Sequence, residues 1–215
     1  MKHLTTALFI LLLLSGTQTY AQNTDANFKQ GMKKGLELLN TVKSFDNFLK
    51  TANYFDRIAQ TETKEWLPKY YVAYSNLFAG LTSTDNALKD EYWDKALVQL
   101  EQADKLSPDN SEIYALKGFV QFIKVSIDPH ARLGLISTSS AILAKAKALN
   151  PNNPRIDLII GQNTFYTPET FGGGKVKAKP FLESAVSKFV IFKPANDIEP
   201  NWGAGTAKEL LEKCN

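Results

Sequence analysis

The chain has 215 residues, of which 44% are hydrophobic and 22% are charged, and its formal net charge is +3. This is an ordinary globular composition, sufficient for one hydrophobic core or one short repeat array. The basic residues are scattered along the chain, whereas nucleic-acid-binding proteins usually cluster them, so no nucleic-acid partner is predicted.

The N-terminal stretch 1–21 is typical of a secretory signal peptide. A basic "MKH" precedes the apolar "LTTALFILLLLSG", and small residues end at Ala21, after which we predict cleavage. The apolar run is shorter than the roughly 20 residues of a membrane span, although an uncleaved anchor stays an alternative. We therefore expect a domain over 22–215 that is periplasmic or secreted, with no stable membrane span after cleavage.

Helical periodicity dominates the chain after the signal. Apolar residues recur at spacings of three and four, and clusters rich in Pro, Gly, Asn, Asp, Ser and Thr separate the periodic stretches. The pattern predicts an all-α protein. The predicted helices cover 25–41, 46–60, 65–81, 86–106, 111–126, 130–149, 154–166, 174–191 and 202–213.

Small residues recur in pairs seven positions apart, which places both members of a pair on one helix face. The first members of successive pairs are 44, 43 and 39 residues apart. Small side chains on one face let a neighbouring helix approach closely, so the pattern predicts nested helix pairs. The pairs are Ala52 and Ala59, Ala96 and Ala103, Ser139 and Ala146, and Ala178 and Ala185.

A matched spacing of Pro and Gly residues follows two of these pairs. "LSPDN" and "LNPNN" place Pro108 and Pro151 five residues after the second small residue, and Gly118 and Gly161 follow each Pro by ten. The Pro ends one helix, and the Gly lets the next helix pair close. An α-solenoid accounts for the repeated offsets, with an irregular helical bundle as the alternative.

These residues resemble the tetratricopeptide repeat family. "YWDKALVQLEQADKLSPDNSEIYALKG" fits the second helix of one such repeat and the first helix of the next. The resemblance implies an α-α superhelix of about four helix pairs with a C-terminal capping helix. The periods exceed the usual length of about 34 residues, and the first repeat fits least well because Tyr74 stands where a small residue is expected.

No catalytic, cofactor or metal site is predicted. His130 is the single histidine after the signal, and Cys214 is the single cysteine, too few for a zinc site or a histidine-based triad. The stretch "FGGGKV" lacks the Ser or Thr of a phosphate-binding loop and is interpreted as a turn before a helix. We expect a non-enzyme, with an enzyme of unfamiliar type as the weakest alternative.

The resemblance also implies a binding surface, because the first helix of each pair lines the concave face in that family. Such a groove could accept a segment of a partner protein, and we expect Tyr71 and Gln162 to be exposed since both carry polar groups. The implied partner-binding residues are Tyr71, Ser75, Phe78, Phe119, Phe122, Leu158, Gln162 and Phe165.

The leading functional hypothesis is a non-catalytic scaffold of the bacterial cell envelope that holds a protein or peptide partner of unspecified identity. The alternative is a small-molecule-binding protein with a pocket between repeats, near Phe165, Tyr166 and Phe171. A short array can also curl until its own side chains fill the concave face, which would place the aromatic residues in the core.

Overall fold

A computed structural model describes residues 25–215, and the predicted signal peptide and its cleavage site lie outside this range. The described chain is all α-helical with the expected superhelical pairing, which confirms the predicted fold class. The helices are α1 (25–41), α2 (Phe45–Thr61), α3 (Trp66–Thr82), α4 (Asn86–Leu106), α5 (Ser111–Ile123), α6 (Gly134–Leu149), α7 (Pro154–Tyr166), α8 (Lys175–Ile191) and α9 (Ala204–Glu212).

Successive helices form antiparallel hairpins. Helices α3 and α4, α5 and α6, and α7 and α8 pack closely as pairs, and α2 also packs along α3. Helix α1 pairs with α2, because the Tyr54 hydroxyl donates to the Gly31 carbonyl at 3.2 Å. Helix α9 packs on α8 and closes the C-terminal end, where Ala207 and Leu210 face inward. A terminal helix of this kind covers apolar surface that an open array would expose.

The small residues predicted to lie between helices are buried. The recurring Ala and Ser positions of α2, α4, α6 and α8 are all at most 5% exposed. Each odd-numbered helix α1 to α7 also carries a Gly that faces a large side chain of the next helix. An added Cβ at Gly118 would meet the Leu143 side chain at 2.7 Å, and one at Gly161 would meet Leu182 at 2.8 Å.

Helices α3 and α4 also approach each other closely, but at a position other than the one that the sequence pattern predicted. The sequence pattern expected a small residue at Tyr74, whereas the Trp93 ring packs over Gly80, near the connecting loop. Trp93 is 2% exposed, and its indole N–H donates to the Leu77 carbonyl at 3.2 Å. The ring is therefore fixed by both packing and a hydrogen bond.

We expect the Gly80→Ala substitution to lower the free energy of unfolding by about 2 kcal/mol, toward the middle of the range for overpacked cores. The added methyl would lie 2.3 Å from the indole nitrogen of Trp93, and the rigid ring cannot move away without losing its hydrogen bond. Gly205→Ala in α9 is the matched control, because nothing lies within 4 Å of that position. Urea denaturation of both variants measures the difference, and equal stabilities would contradict the packing account.

The largest boundary differences lie between α5 and α6. The sequence predicted helices over 111–126 and 130–149, but α5 ends at Ile123, a 3₁₀ turn spans Lys124–Ile127, and α6 begins at Gly134. The Asp128 carboxylate accepts a hydrogen bond from the Ala131 amide at 3.0 Å, which stabilises a turn in place of a helix start. The interhelical segment 124–133, which we call the α5–α6 loop, thus becomes a separate structural feature.

Asp157 is a buried acidic residue of α7. Burial acts to raise the pKa of this carboxyl, but hydrogen bonds from Lys147, Lys188 and Ser184 hold the pKa below its ordinary value. The buried carboxylate therefore joins α6, α7 and α8 through charged hydrogen bonds.

Candidate functional site

An apolar pocket of about 560 Å³ lies where α3, α5 and α7 end and α4 and α6 begin. The α5–α6 loop forms one wall, and the segment after α7 forms another. A cavity of this size lies within the range of roughly 300–1,000 Å³ that is typical of ligand-binding sites. We call it the apolar pocket.

The lining of the apolar pocket is dominated by aromatic and aliphatic side chains. Its polar members are limited to Ser126, Gln162 and Thr167, apart from the hydroxyl of Tyr166. Such a lining favours a ligand with a large apolar surface and few polar groups. The apolar and aromatic lining residues are Leu81, Trp93, Phe119, Phe122, Ile123, Val125, Pro129, Leu133, Ile136, Tyr166, Pro168 and Phe171.

A cluster of charged residues fixes the α5–α6 loop to α4. The Arg132 guanidinium donates to both carboxylate oxygens of Asp90 at 2.6 Å, and the Lys124 ammonium donates to Asp90 at 2.5 Å and to Asp94 at 2.6 Å. The Arg132 hydrogen bonds, with those of Lys124, hold the pKa of Asp90 well below its ordinary value. One wall of the apolar pocket is therefore held in place by ion pairs outside the pocket itself.

Another wall is a compact turn between α7 and α8. The Gly174 amide donates to the Thr164 carbonyl at 2.9 Å, and the Gly173 amide donates to the Pro168 carbonyl at 3.1 Å. Gly174 has a φ of 96°, a conformation that suits glycine. The turn presents Tyr166 and Phe171 at the pocket, and these side chains are 62% and 71% exposed.

The C-terminal segment 192–203 crosses the face on which a groove was expected, and we call it the strap. The Tyr71 hydroxyl donates to the Ile198 carbonyl at 3.0 Å, and the Trp202 indole N–H donates to the Tyr70 hydroxyl at 2.9 Å. Tyr71 is therefore buried, contrary to the expectation that its hydroxyl would keep it exposed. Its hydrogen-bond partner is a backbone carbonyl of the chain, which replaces water.

The buried Arg155 side chain fastens the strap to the repeats. Its guanidinium donates two hydrogen bonds to the Glu112 carboxylate and a third, at 3.4 Å, to the Trp202 carbonyl. The guanidinium also lies 4.5 Å from the centre of the Phe192 ring. Burial acts to lower the pKa of Arg155, but the Glu112 carboxylate raises it above its ordinary value. The ion pair thus connects α5, α7 and both ends of the strap.

The structure separates the predicted partner-binding residues into several environments. Phe119, Phe122 and Gln162 line the apolar pocket. Ser75 is buried, and Phe78 lines a second pocket beside the strap.

The remaining predicted residues lie at the C-terminal end of the array. Leu158 is buried in a second core formed with α8 and α9, and Phe165 packs against that core. Tyr166 and Phe171, proposed for the small-molecule alternative, do line the apolar pocket.

The sequence-based prediction missed most of the α5–α6 loop side of the pocket. Val125, Pro129, Leu133 and Ile136 line the pocket, yet this stretch was interpreted as the end of one helix and the beginning of another. The available signal was an unusual density of apolar residues around "DPH", which interrupts the helical periodicity. Apolar residues in a connecting loop require a partner surface.

Residues 25–215 lack the features of a metal site and of a membrane span. This range contains no group of three or more His, Cys, Asp or Glu side chains arranged to hold a metal ion. Within the same range, no helix has the length and apolar character needed to cross a membrane. The Cys214 thiol is free and half-buried, with Leu211 among its neighbours in the second core.

The fold and much of the sequence are shared with a protein of known structure. A solved structure, the HusA haemophore from Porphyromonas gingivalis, superposes with a TM-score of 0.78 at 31% sequence identity. The alignment covers 87% of this chain and 92% of the haemophore chain. No protein-family model matches the sequence, including one for tetratricopeptide repeats, and a search of curated proteins found no match.

Proposed function

We propose that this chain, which belongs to the family of the HusA haemophore, binds haem or a related porphyrin in the apolar pocket. The observation that carries the proposal is a cavity of about 560 Å³ with a mainly apolar and aromatic lining, in a chain of the same fold as a haemophore. The chain would act as a non-catalytic carrier. Its predicted signal peptide supports a periplasmic or secreted location.

Burial of the porphyrin ring supplies the main driving force in this proposal. Apolar surface removed from water contributes about 25 cal/mol per Å², and the flat macrocycle has two large apolar faces. Phe119 and Phe122 of α5, together with Tyr166 and Phe171, line the pocket. Aromatic rings suit such a ligand because offset stacking adds to the burial term.

The lining offers little for coordination of iron. Neither His, Cys nor Met is among the lining residues, and Tyr166 is the member whose side chain type serves as an axial haem ligand in proteins. The affinity for haem should therefore come mostly from burial of the porphyrin macrocycle.

We expect metal-free protoporphyrin IX to bind within about tenfold of the affinity for haem, because iron coordination adds little to the burial of the ring. Parallel fluorescence-quenching titrations with the two ligands measure the ratio. If haem bound a hundredfold or more tightly than protoporphyrin IX, a metal ligand, and not the apolar lining, would govern binding.

A protein partner is the second candidate function. The pocket lining includes exposed apolar side chains, among them Leu133 and Phe171, which are 49% and 71% exposed. Exposed apolar groups next to a pocket are typical of a docking surface. The strap fills much of the groove first expected to hold a peptide, so this candidate now concerns the mouth of the pocket.

Experiments on the mature chain 22–215 distinguish the two candidate functions. We expect titration with haemin to give a saturable change in the Soret absorbance, with a stoichiometry that gel filtration reproduces. Capture of envelope proteins on the immobilised chain, with and without haemin, tests the second candidate. A saturable protein partner combined with no haemin binding would reverse the order of the proposals.

A further inference from the structure

A second pocket, of about 450 Å³, lies between α1, α2, α3 and the strap. Its lining differs from that of the apolar pocket, because aromatic rings and carboxylates occur together. Phe48, Tyr74, Phe78 and Trp202 supply rings, and Asp197 and Glu199 supply carboxylates. We call it the aromatic–acidic pocket.

The rings of this pocket form a continuous row. Phe48 and Phe78 are stacked with centroids 5.7 Å apart, Tyr74 and Phe78 are 4.7 Å apart, and Tyr74 and Trp202 are 5.3 Å apart. Tyr74 and Phe78 lie one turn apart on α3, so a single helix face positions the middle of the row. The negative faces of aromatic rings attract cations.

The two carboxylates of the pocket have different environments. Asp197 pairs with Lys33 at 2.5 Å, and both side chains are about half exposed. Glu199 is half-buried, and among residues 25–215 its carboxylate has neither a salt-bridge partner nor a side-chain hydrogen bond. Burial, with a smaller effect from Glu112, raises the pKa of Glu199.

The positive charge of Arg155 acts to lower the pKa of Glu199, but Arg155 is already paired with Glu112. The Arg155 guanidinium donates two hydrogen bonds to the Glu112 carboxylate of α5. Arg155 also lies 5.8 Å from the Trp202 ring centre. A half-buried carboxylate beside a row of rings is thus left without an ion-pair partner of its own, which is costly unless a ligand supplies one.

We propose that the aromatic–acidic pocket binds an organic cation, such as a quaternary ammonium or protonated amine group. The ring faces would contact the cation, and Glu199 would supply the opposite charge. A metal ion is a poorer match, because hard cations require several oxygen ligands. The pocket is separate from the porphyrin site, so the inference does not depend on the proposed function.

Choline and its uncharged isostere 3,3-dimethylbutan-1-ol are the probes of this inference, because they share shape and differ in charge. We expect calorimetry or NMR titration of the mature chain to show saturable choline binding, with the isostere at least about tenfold weaker. Equal binding of both probes, or no binding of either, would overturn the proposal.

Variants locate the site. Glu199→Gln should weaken choline binding by about tenfold, and Phe78→Leu should weaken it several-fold by removing a ring. Glu183→Gln on the exposed face of α8 is the matched control and should change nothing. Thermal unfolding checks that each variant is folded.

Haemin titration separates this proposal from the porphyrin proposal. It should give the same affinity in Glu199→Gln as in the unmodified chain. Choline binding without haemin binding would leave the present inference standing and remove the porphyrin proposal. Choline affinity that is unchanged in Glu199→Gln would contradict the assigned site.

Discussion

The Glu112→Ala variant is expected to lose about 3–5 kcal/mol of unfolding free energy, the range measured when one partner of a buried ion pair is removed. Arg155 is fully buried, and Glu112 accepts two of its hydrogen bonds. Without Glu112, the guanidinium keeps the Trp202 carbonyl at 3.4 Å and the Phe192 ring. Neither the carbonyl nor the ring neutralises the positive charge of Arg155.

The same substitution should loosen the strap, because Arg155 contacts both of its ends. Chemical denaturation measures the loss of stability, and hydrogen exchange at Ile198 reports opening of the strap. Glu209→Ala, which removes an exposed pair with Lys213, is the control and should cost far less than Glu112→Ala, because water screens exposed pairs. Replacing both Glu112 and Arg155 by Leu should cost less than Glu112→Ala alone. A loss below 1 kcal/mol for Glu112→Ala would contradict the role assigned to the pair.

The Phe122→Asp variant is expected to weaken haem binding by about a hundredfold or more. Phe122 lines the apolar pocket on α5 and is only partly buried without ligand, so the folded chain can accommodate a carboxylate at this position. A bound porphyrin would force that carboxylate out of water with no partner, which costs several kcal/mol, and a stacking ring would be lost.

A charge at a distant surface position controls for changes in solubility or net charge. Val190→Asp in α8 serves this purpose, since Val190 is 78% exposed and lies outside the pocket lining. In haemin absorbance titrations, the haem affinity of Phe122→Asp should be about a hundredfold or more below that of Val190→Asp. The two variants should have similar thermal unfolding temperatures. Equal affinities would remove the apolar pocket as the binding site.

The fold was predictable from the sequence because its determinants are local. Spacings of three, four and seven residues define the buried helix faces, and Pro and Gly mark the ends of helices. Ala96, Ala103 and Ala146 were expected between helices, and each is fully buried. These relations involve side chains on one helix or on its immediate neighbour.

The site was less predictable because its walls depend on distant contacts. Arg132 and Asp90, which hold the α5–α6 loop, are 42 residues apart, and Tyr71 and Ile198, which hold the strap, are 127 apart. The strap sequence "KPANDIEPN" was interpreted as a turn cluster, which gave no reason to place it across α3. The expected groove therefore contained residues that the strap covers, together with residues of the apolar pocket.

Paramagnetic NMR with ferric haem is the most direct test of the central claim that the apolar pocket binds a porphyrin. Haemin added to ¹⁵N-labelled mature chain should broaden the amide signals of Phe119, Phe122, Tyr166 and Phe171 first, because iron relaxes nearby nuclei. The signals of Phe48 and Phe78 in the aromatic–acidic pocket should persist at the same ratio of ligand to protein. Broadening that begins at Phe48 and Phe78, or no broadening at all, would contradict the account.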